Sequence, residues 1–280
     1  MKEIVQELLT GAVDFHIHVA PDPEKERIAD AFEIASQAKA VGIKGVVLKS
    51  HHYPTAPIAQ IAERAVEGIK VFGGLALNDE IGGINPKAVE VSAKIGAKVV
   101  WMPTTSSLVD RRRKGFDGGL SVLGGDGKIL VEVKEVLALI RDHDLVLGTG
   151  HISQEEISAL YIEAEKMGIK KFVLTHPLRG LGPSVDLNVQ KELAKRGAFV
   201  EYCFVATMPL YGGIKPNKIA ETIKLIGAEK CLLSTDFGHL SNPPPWEGMR
   251  MMIATFLECN MSEHELRILV KENPCRLLNL

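Results

Sequence analysis

The sequence runs to 280 residues, 46% of them apolar and 24% charged, which fits one large globular domain of the size at which α/β barrels fold as a single unit. A formal charge of −2 gives no electrostatic case for nucleic acid or an anionic membrane surface. No apolar run approaches the ~18 residues that would span a bilayer.

In chain order, a first helix near 1–9 precedes the strands and is expected to cover the base of the domain. The opening MKEIVQELLTGAVDF lacks a basic segment followed by a continuous apolar stretch, so no signal peptide is expected. Short β-branched runs then alternate with helical stretches. Eight strands are predicted near 12–19, 44–49, 70–76, 98–103, 145–150, 170–175, 198–204 and 230–235. Several follow one cue, a glycine that ends a helix and a short step into a strand, as in AVGIKGVVLKS, KIGAKVVWMP and KMGIKKFVLTH. A βα unit used repeatedly implies a parallel sheet covered by helices. Eight such units predict a closed (β/α)8 barrel, the TIM-barrel architecture, as one domain over residues 1–280.

Capping signals mark the helices. Ser153 with Glu156 opens EEISALYIEAEKMG, and Ser262 with Glu265 opens EHELRILVKEN. The segment 104–128, TTSSLVDRRRKGFDGGLSVLGGDGK, follows the fourth strand and stands apart as a long Gly- and Arg-rich connection, read as a flexible loop or hairpin. Its glycines lack the Lys-Ser/Thr of a phosphate loop. Cys203, Cys231, Cys259 and Cys275 are widely spaced without a C-x-x-C pair, and read as buried thiols of a cytoplasmic protein.

Seven of the nine histidines, His16, His18, His51, His52, His151, His176 and His239, fall at or just beyond the C-terminal ends of predicted strands. That is the face on which barrels of this kind build their sites. His16 and His18 are two apart on a strand and point to one side. Such a pair serves equally as hydrogen-bonded core histidines or as ligands of one divalent ion. The company of His151, His176 and Asp236 at other strand ends favours the metal.

DFHIHVAPD at the first strand, GTGHIS at the fifth, VLTHPL at the sixth and LLSTDFG at the eighth together resemble the metal-dependent amidohydrolase superfamily, near its TatD and phosphotriesterase-like hydrolases. The closing SEHELRILVKENPCRLLNL resembles that superfamily's last helix. The resemblance implies His16 and His18 as ligands of a first metal, with His151 and His176 on a second or shared between metal and substrate. Asp236 would be both a ligand and the group that manages the proton of the attacking water. Zinc is the expected ion, one or two per chain.

Members with two metals carry a bridging lysine or glutamate on the fourth strand, where KVVWMPTT has none. Lys49, ending the second strand, is the substitute: carboxylated, it would bridge two ions; otherwise it is a cation for a substrate carboxylate or a partner of Glu201. Glu201 in the apolar FVEYCF, His51 by strand parity, His239, and the loop arginines Arg111 and Arg179 are candidate substrate-binding residues, with solvated charge the competing reading for the arginines. The expectation is a hydrolase of an amide, lactone, ester or phosphoester bond in a small anionic substrate. A one-metal lyase such as a decarboxylase is the rival, and a non-catalytic metal-binding barrel stands third. Homo-oligomers are compatible with either enzyme.

Overall fold

The computed structural model describes residues 1–178 and 182–280. All eight predicted strands are present: β1 (Val13–His18), β2 (Gly45–Lys49), β3 (Lys70–Ala76), β4 (Val99–Trp101), β5 (Val146–Gly148), β6 (Phe172–Leu174), β7 (Phe199–Cys203) and β8 (Cys231–Ser234). They pair in parallel and in sequence order as a single sheet. The ring closes just beyond β8, where Asp236 N donates to His16 O at 2.8 Å and His18 N to Phe237 O at 2.8 Å. The architecture is a (β/α)8 barrel.

Alternation along the strands sorts their side chains into two apolar layers. Val13, Phe15, Val47, Val99, Trp101 and Val146 pack inside the ring, while residues such as Val46, Leu48 and Val100 face the helices. The inner layer is sealed at its base by Leu277 and Leu278 of the helix Asn273–Leu278. Each such buried leucine contributes about 2 kcal/mol. The sealing role expected of the first helix therefore belongs to the last. Helix Lys2–Leu9 instead buries Val5, Leu8 and Leu9 in the outer layer. Its Gln6 accepts from Arg250 of helix Pro245–Glu258.

The chain enters the last helix through a π-helical turn, Ile268–Glu272. There Asn273 Nδ2 donates to the carbonyls of Ala228 and Cys231 at 2.8 and 2.7 Å, pinning the start of β8. The capping boxes at Ser153 and Ser262 form as read, and Asp30 with Glu33 makes a third. The segment 104–128 holds a short helix, Leu108–Arg113, and its Leu123 makes an antiparallel bridge to Ile129 just beyond it. Glu156 fixes it by accepting from Ser121 Oγ and Val122 N. The four cysteines are free. Among the described residues, no helix is long and apolar enough to cross a membrane.

Candidate metal centre

The phase of β1 changes within the strand. Asp14 pairs with Val46 but Ile17 with Leu48, so β1 carries one residue more than its neighbour over that stretch. A bulge of this kind re-aims the side chains beyond it. Val13 and Phe15 face the barrel interior, Ile17 packs in the outer layer, and His16 and His18 turn inward at the top. Asp14 locks the irregularity: its carboxylate accepts from Thr235 N at 3.0 Å, Thr235 Oγ1 at 2.5 Å and His16 N at 3.4 Å. Burial pushes the Asp14 carboxyl up to about 7, against those hydrogen bonds.

Asp236 Oδ1 lies 3.2 Å from His16 Nε2 and 3.0 Å from His18 Nε2. Asp236 holds φ at 55°, a costly left-handed conformation of the kind found at functional sites. Gly238, two residues on, has no room for a Cβ against the His18 carbonyl. Behind His16, Nδ1 faces both oxygens of the fully buried Glu201 at 3.3 and 3.4 Å, and Ser234 Oγ donates to that carboxylate at 2.7 Å. A carboxylate only accepts, so Nδ1 carries the proton, and in the neutral ring Nε2 keeps its lone pair. That lone pair and Asp236 Oδ1 then face one another, an arrangement that calls for a cation. Lys49 Nζ supplies an N–H to His16 Nε2 at 2.9 Å, and a divalent ion would satisfy the same donors.

Across the cavity stand His151 and His176, their rings 4.9 Å apart, with His176 6.0 Å from His16. Backbone aims them: a Cβ at Gly150 would collide with the Met102 carbonyl, and His176 itself holds φ at 30°. His51 lies 4.7 Å from His18, ring to ring, with Nδ1 2.8 Å from Thr104 Oγ1. Burial pushes His18, His51 and His176 well below the ordinary imidazole range and lowers His151 too. Neutral imidazoles are the form that binds metal. Among the described residues, Nδ1 of His18, His151 and His176 is buried without a hydrogen-bond partner. Burial also lowers the Lys49 amine, against the charges of Asp236 and Glu201. For Asp236 burial acts upward but is outweighed by His16, His176 and Lys49, and its carboxyl lies below the usual range. The donor set fits a divalent metal.

A cavity of about 170 Å³ opens onto this cluster, lined by His18, Lys49, His51, His151, His176, Asp236 and His239 among the anticipated residues. Two anticipated substrate residues lie elsewhere. Glu201 sits behind His16, where it can orient the ring and has no face on the cavity. Arg111 is paired with Asp79 at 2.6 Å and opens on a neighbouring cleft. Arg179 falls outside the described residues. His52 is set among Asp22, Glu24 and Glu80 at 3.5 to 4.0 Å.

The cavity wall also holds Arg113 and Lys114 of the basic run after β4, together with residues that sequence reasoning passed over: Lys25, Arg27, Asp110 and Tyr211. The acid absent from β4 arrives on the loop after it. Asp110 Oδ1 lies 3.8 Å from His151 Nδ1 and pairs with Arg113 and Lys114 at 2.7 and 2.8 Å. The signal for it, an acid beginning the DRRRK run, was present but was masked by the charges that follow.

The family model described as "family of unknown function (DUF6282)" matches residues 11–201. No curated protein matches the chain. Among solved structures, the chain is similar to the probable dipeptidase PvdM from Pseudomonas aeruginosa, at 12% identity and TM-score 0.70, covering 99% of this chain and 97% of that one. It is similar to an amidohydrolase from Pseudomonas aeruginosa, at 16% identity and TM-score 0.63, covering 98% of both chains. A phosphotriesterase homology protein from Escherichia coli, with phosphate in its active site, is 14% identical at TM-score 0.65, covering 95% of this chain and 98% of that one. What these likenesses share with the chain is the barrel fold.

Proposed function

The chain belongs to the family of unknown function DUF6282, and we propose that it is a metal-dependent hydrolase of an amide, lactone, ester or phosphoester bond in a small anionic substrate. The observation that carries this reading is the meeting of His16 Nε2, His18 Nε2 and Asp236 Oδ1 at the mouth of the barrel. With His151 and His176 opposite, the centre has donors for one ion or two. Nitrogen and carboxylate donors suit zinc and similar ions. Such an ion, when bound, supplies Lewis acidity and lowers the pKa of a coordinated water.

The chain's own groups complete the chemistry. Asp236 is held ionised, so it can accept a proton from water at neutral pH. Glu201 holds His16 in the tautomer that keeps Nε2 available. Lys49, buried and biased toward the neutral amine, meets the condition for carbamate formation: its nitrogen adds to the carbon of carbon dioxide and loses a proton. The carbamate would then take the bridging place that β4 leaves without an acid. The free cysteines agree with a reducing cytoplasm.

One observation favours a one-metal lyase as the second reading. Of the three groups of converging donors among the described residues, the one with members on the cavity wall is His16, His18 and Asp236. Metal content by elemental analysis, together with turnover on amide, lactone, ester and phosphoester panels before and after chelation, tests both. Chelator-sensitive hydrolysis that returns with added metal supports the proposal. One ion per chain with decarboxylation and no hydrolysis would replace it with the lyase.

A further inference from the structure

The loop that follows β1 carries a preorganised cation into the cavity. Its neck is closed by Ala20 N donating to Ala29 O at 3.0 Å. Ile28 N donates to Gly238 O at 2.9 Å, which staples the loop to the backbone just beyond Asp236. Asp22 is its hub. One carboxylate oxygen accepts the amides of Glu24 and Lys25 at 2.9 and 3.0 Å, and the other takes Arg27 Nε at 2.7 Å and Nη2 at 2.5 Å. One edge of the guanidinium is thereby fixed, and the side chain of Arg27 is only 6% exposed. Nη1 makes no hydrogen bond among the described residues, and Arg27 borders the same cavity as His18 and Asp236.

The other cations on the wall are differently placed. Arg113 and Lys114 share one counter-charge, Asp110, which itself faces the cavity. Lys49 is engaged with His16. Asp22 is not among the cavity-lining residues, so the Arg27 pair presents its positive end inward. A half-engaged planar guanidinium offers a fork that matches an oxyanion.

We propose that Arg27 is a specificity-determining residue that anchors an oxyanion, a carboxylate or phosphate group, which the substrate carries in addition to the bond that is broken. Lys25, on the same loop, adds a second positive charge at the rim. The word substrate rests on the hydrolase reading; anion binding does not.

The test is calorimetric titration of the metal-loaded protein with inorganic phosphate and, separately, with malonate at fixed ionic strength. The two probes separate a phosphate site from a carboxylate site. Arg27→Gln should weaken the better probe by at least about tenfold, as expected for a lost hydrogen bond to a charged group, with metal content unchanged. Arg27→Lys keeps the charge without the fork and should lose several-fold; it serves also if the glutamine variant does not fold. Unchanged affinity in these variants, or no binding of either anion to the wild type, overturns the proposal. Binding lost on substitution in a protein that hydrolyses nothing would leave the anchor standing and remove only the hydrolase reading.

Discussion

On the β1/β8 side of the centre one ligand, His16, is aimed by another side chain, whereas on the β5/β6 side the donors are aimed by backbone. Glu201 sets the His16 tautomer, Ser234 sets Glu201, and Asp14 ties the bulge of β1 to Thr235 beside Asp236. His151 and His176 owe their direction to Gly150 and to a left-handed φ, and among the described residues their Nδ1 atoms have no hydrogen-bond partner. The first side carries a carboxylate–imidazole pair, Glu201 and His16, within the protein itself. The second holds its rings in place but leaves their tautomers to whatever binds. Carboxylate–imidazole–metal relays raise ligand affinity, so the β1/β8 side should hold metal more tightly.

The largest effect tests the group the two sides share. Asp236→Asn preserves size and removes the charge that His16, His18 and Lys49 surround. Hydrolysis should fall by about 10³-fold, the scale of a lost general base and ligand. The protein should remain folded, because the left-handed backbone at 236 tolerates asparagine. Steady-state rates on the metal-loaded variant, with circular dichroism for the fold, make the check. A loss of less than tenfold would take the proton-handling role away from Asp236.

A smaller effect separates the two sides directly. Glu201→Gln should weaken metal binding by about 10–100-fold, the usual consequence of losing an outer-shell carboxylate. Asp110→Asn should weaken it by less, because Asp110 lies 3.8 Å from His151 Nδ1, beyond a hydrogen bond. Competition against a chelator of known affinity measures both. The opposite ranking would make the β5/β6 side the primary metal site.

Much of this was legible in the sequence, for reasons that also mark where legibility stopped. The eight strands could be read because each is an apolar β-branched run bounded by turn residues. Histidines at strand ends identified the mouth, since a barrel puts all those ends on one face. The shared direction of His16 and His18 followed from their spacing. Their inward direction did not: simple alternation puts Val13, Phe15 and Ile17 on one face and the histidines on the other, and the bulge alone reverses this. Glu201 was visible as an acid in an apolar strand, but its partner, 185 residues away, was not. Arg27 and Asp110 lie in charged loops, where sequence does not tell an oriented side chain from a solvated one. The base of the barrel was assigned to the first helix because chain order says nothing about which end returns to seal it.

The smallest effect concerns Arg111, where the loop after β4 presents two faces. Residues 111 and 113 of the helix Leu108–Arg113 are about 200° apart around its axis. Arg113 therefore turns to Asp110 and the cavity, while Arg111 turns to Asp79, both members of that pair being more than a third exposed. An exposed ion pair is worth about 0–1 kcal/mol. Arg111→Gln should accordingly leave KM unchanged within about twofold, since surface substitutions of this kind seldom exceed 0.5 kcal/mol. Arg113→Gln should raise KM, because it unbalances Asp110 on the cavity wall. Steady-state kinetics on the two variants in parallel decides which face meets the substrate. If Arg111→Gln raised KM tenfold while Arg113→Gln did nothing, the helix would be turned the other way in the working enzyme, and the contrast drawn between the two sides of the centre would have to be redrawn around Asp79.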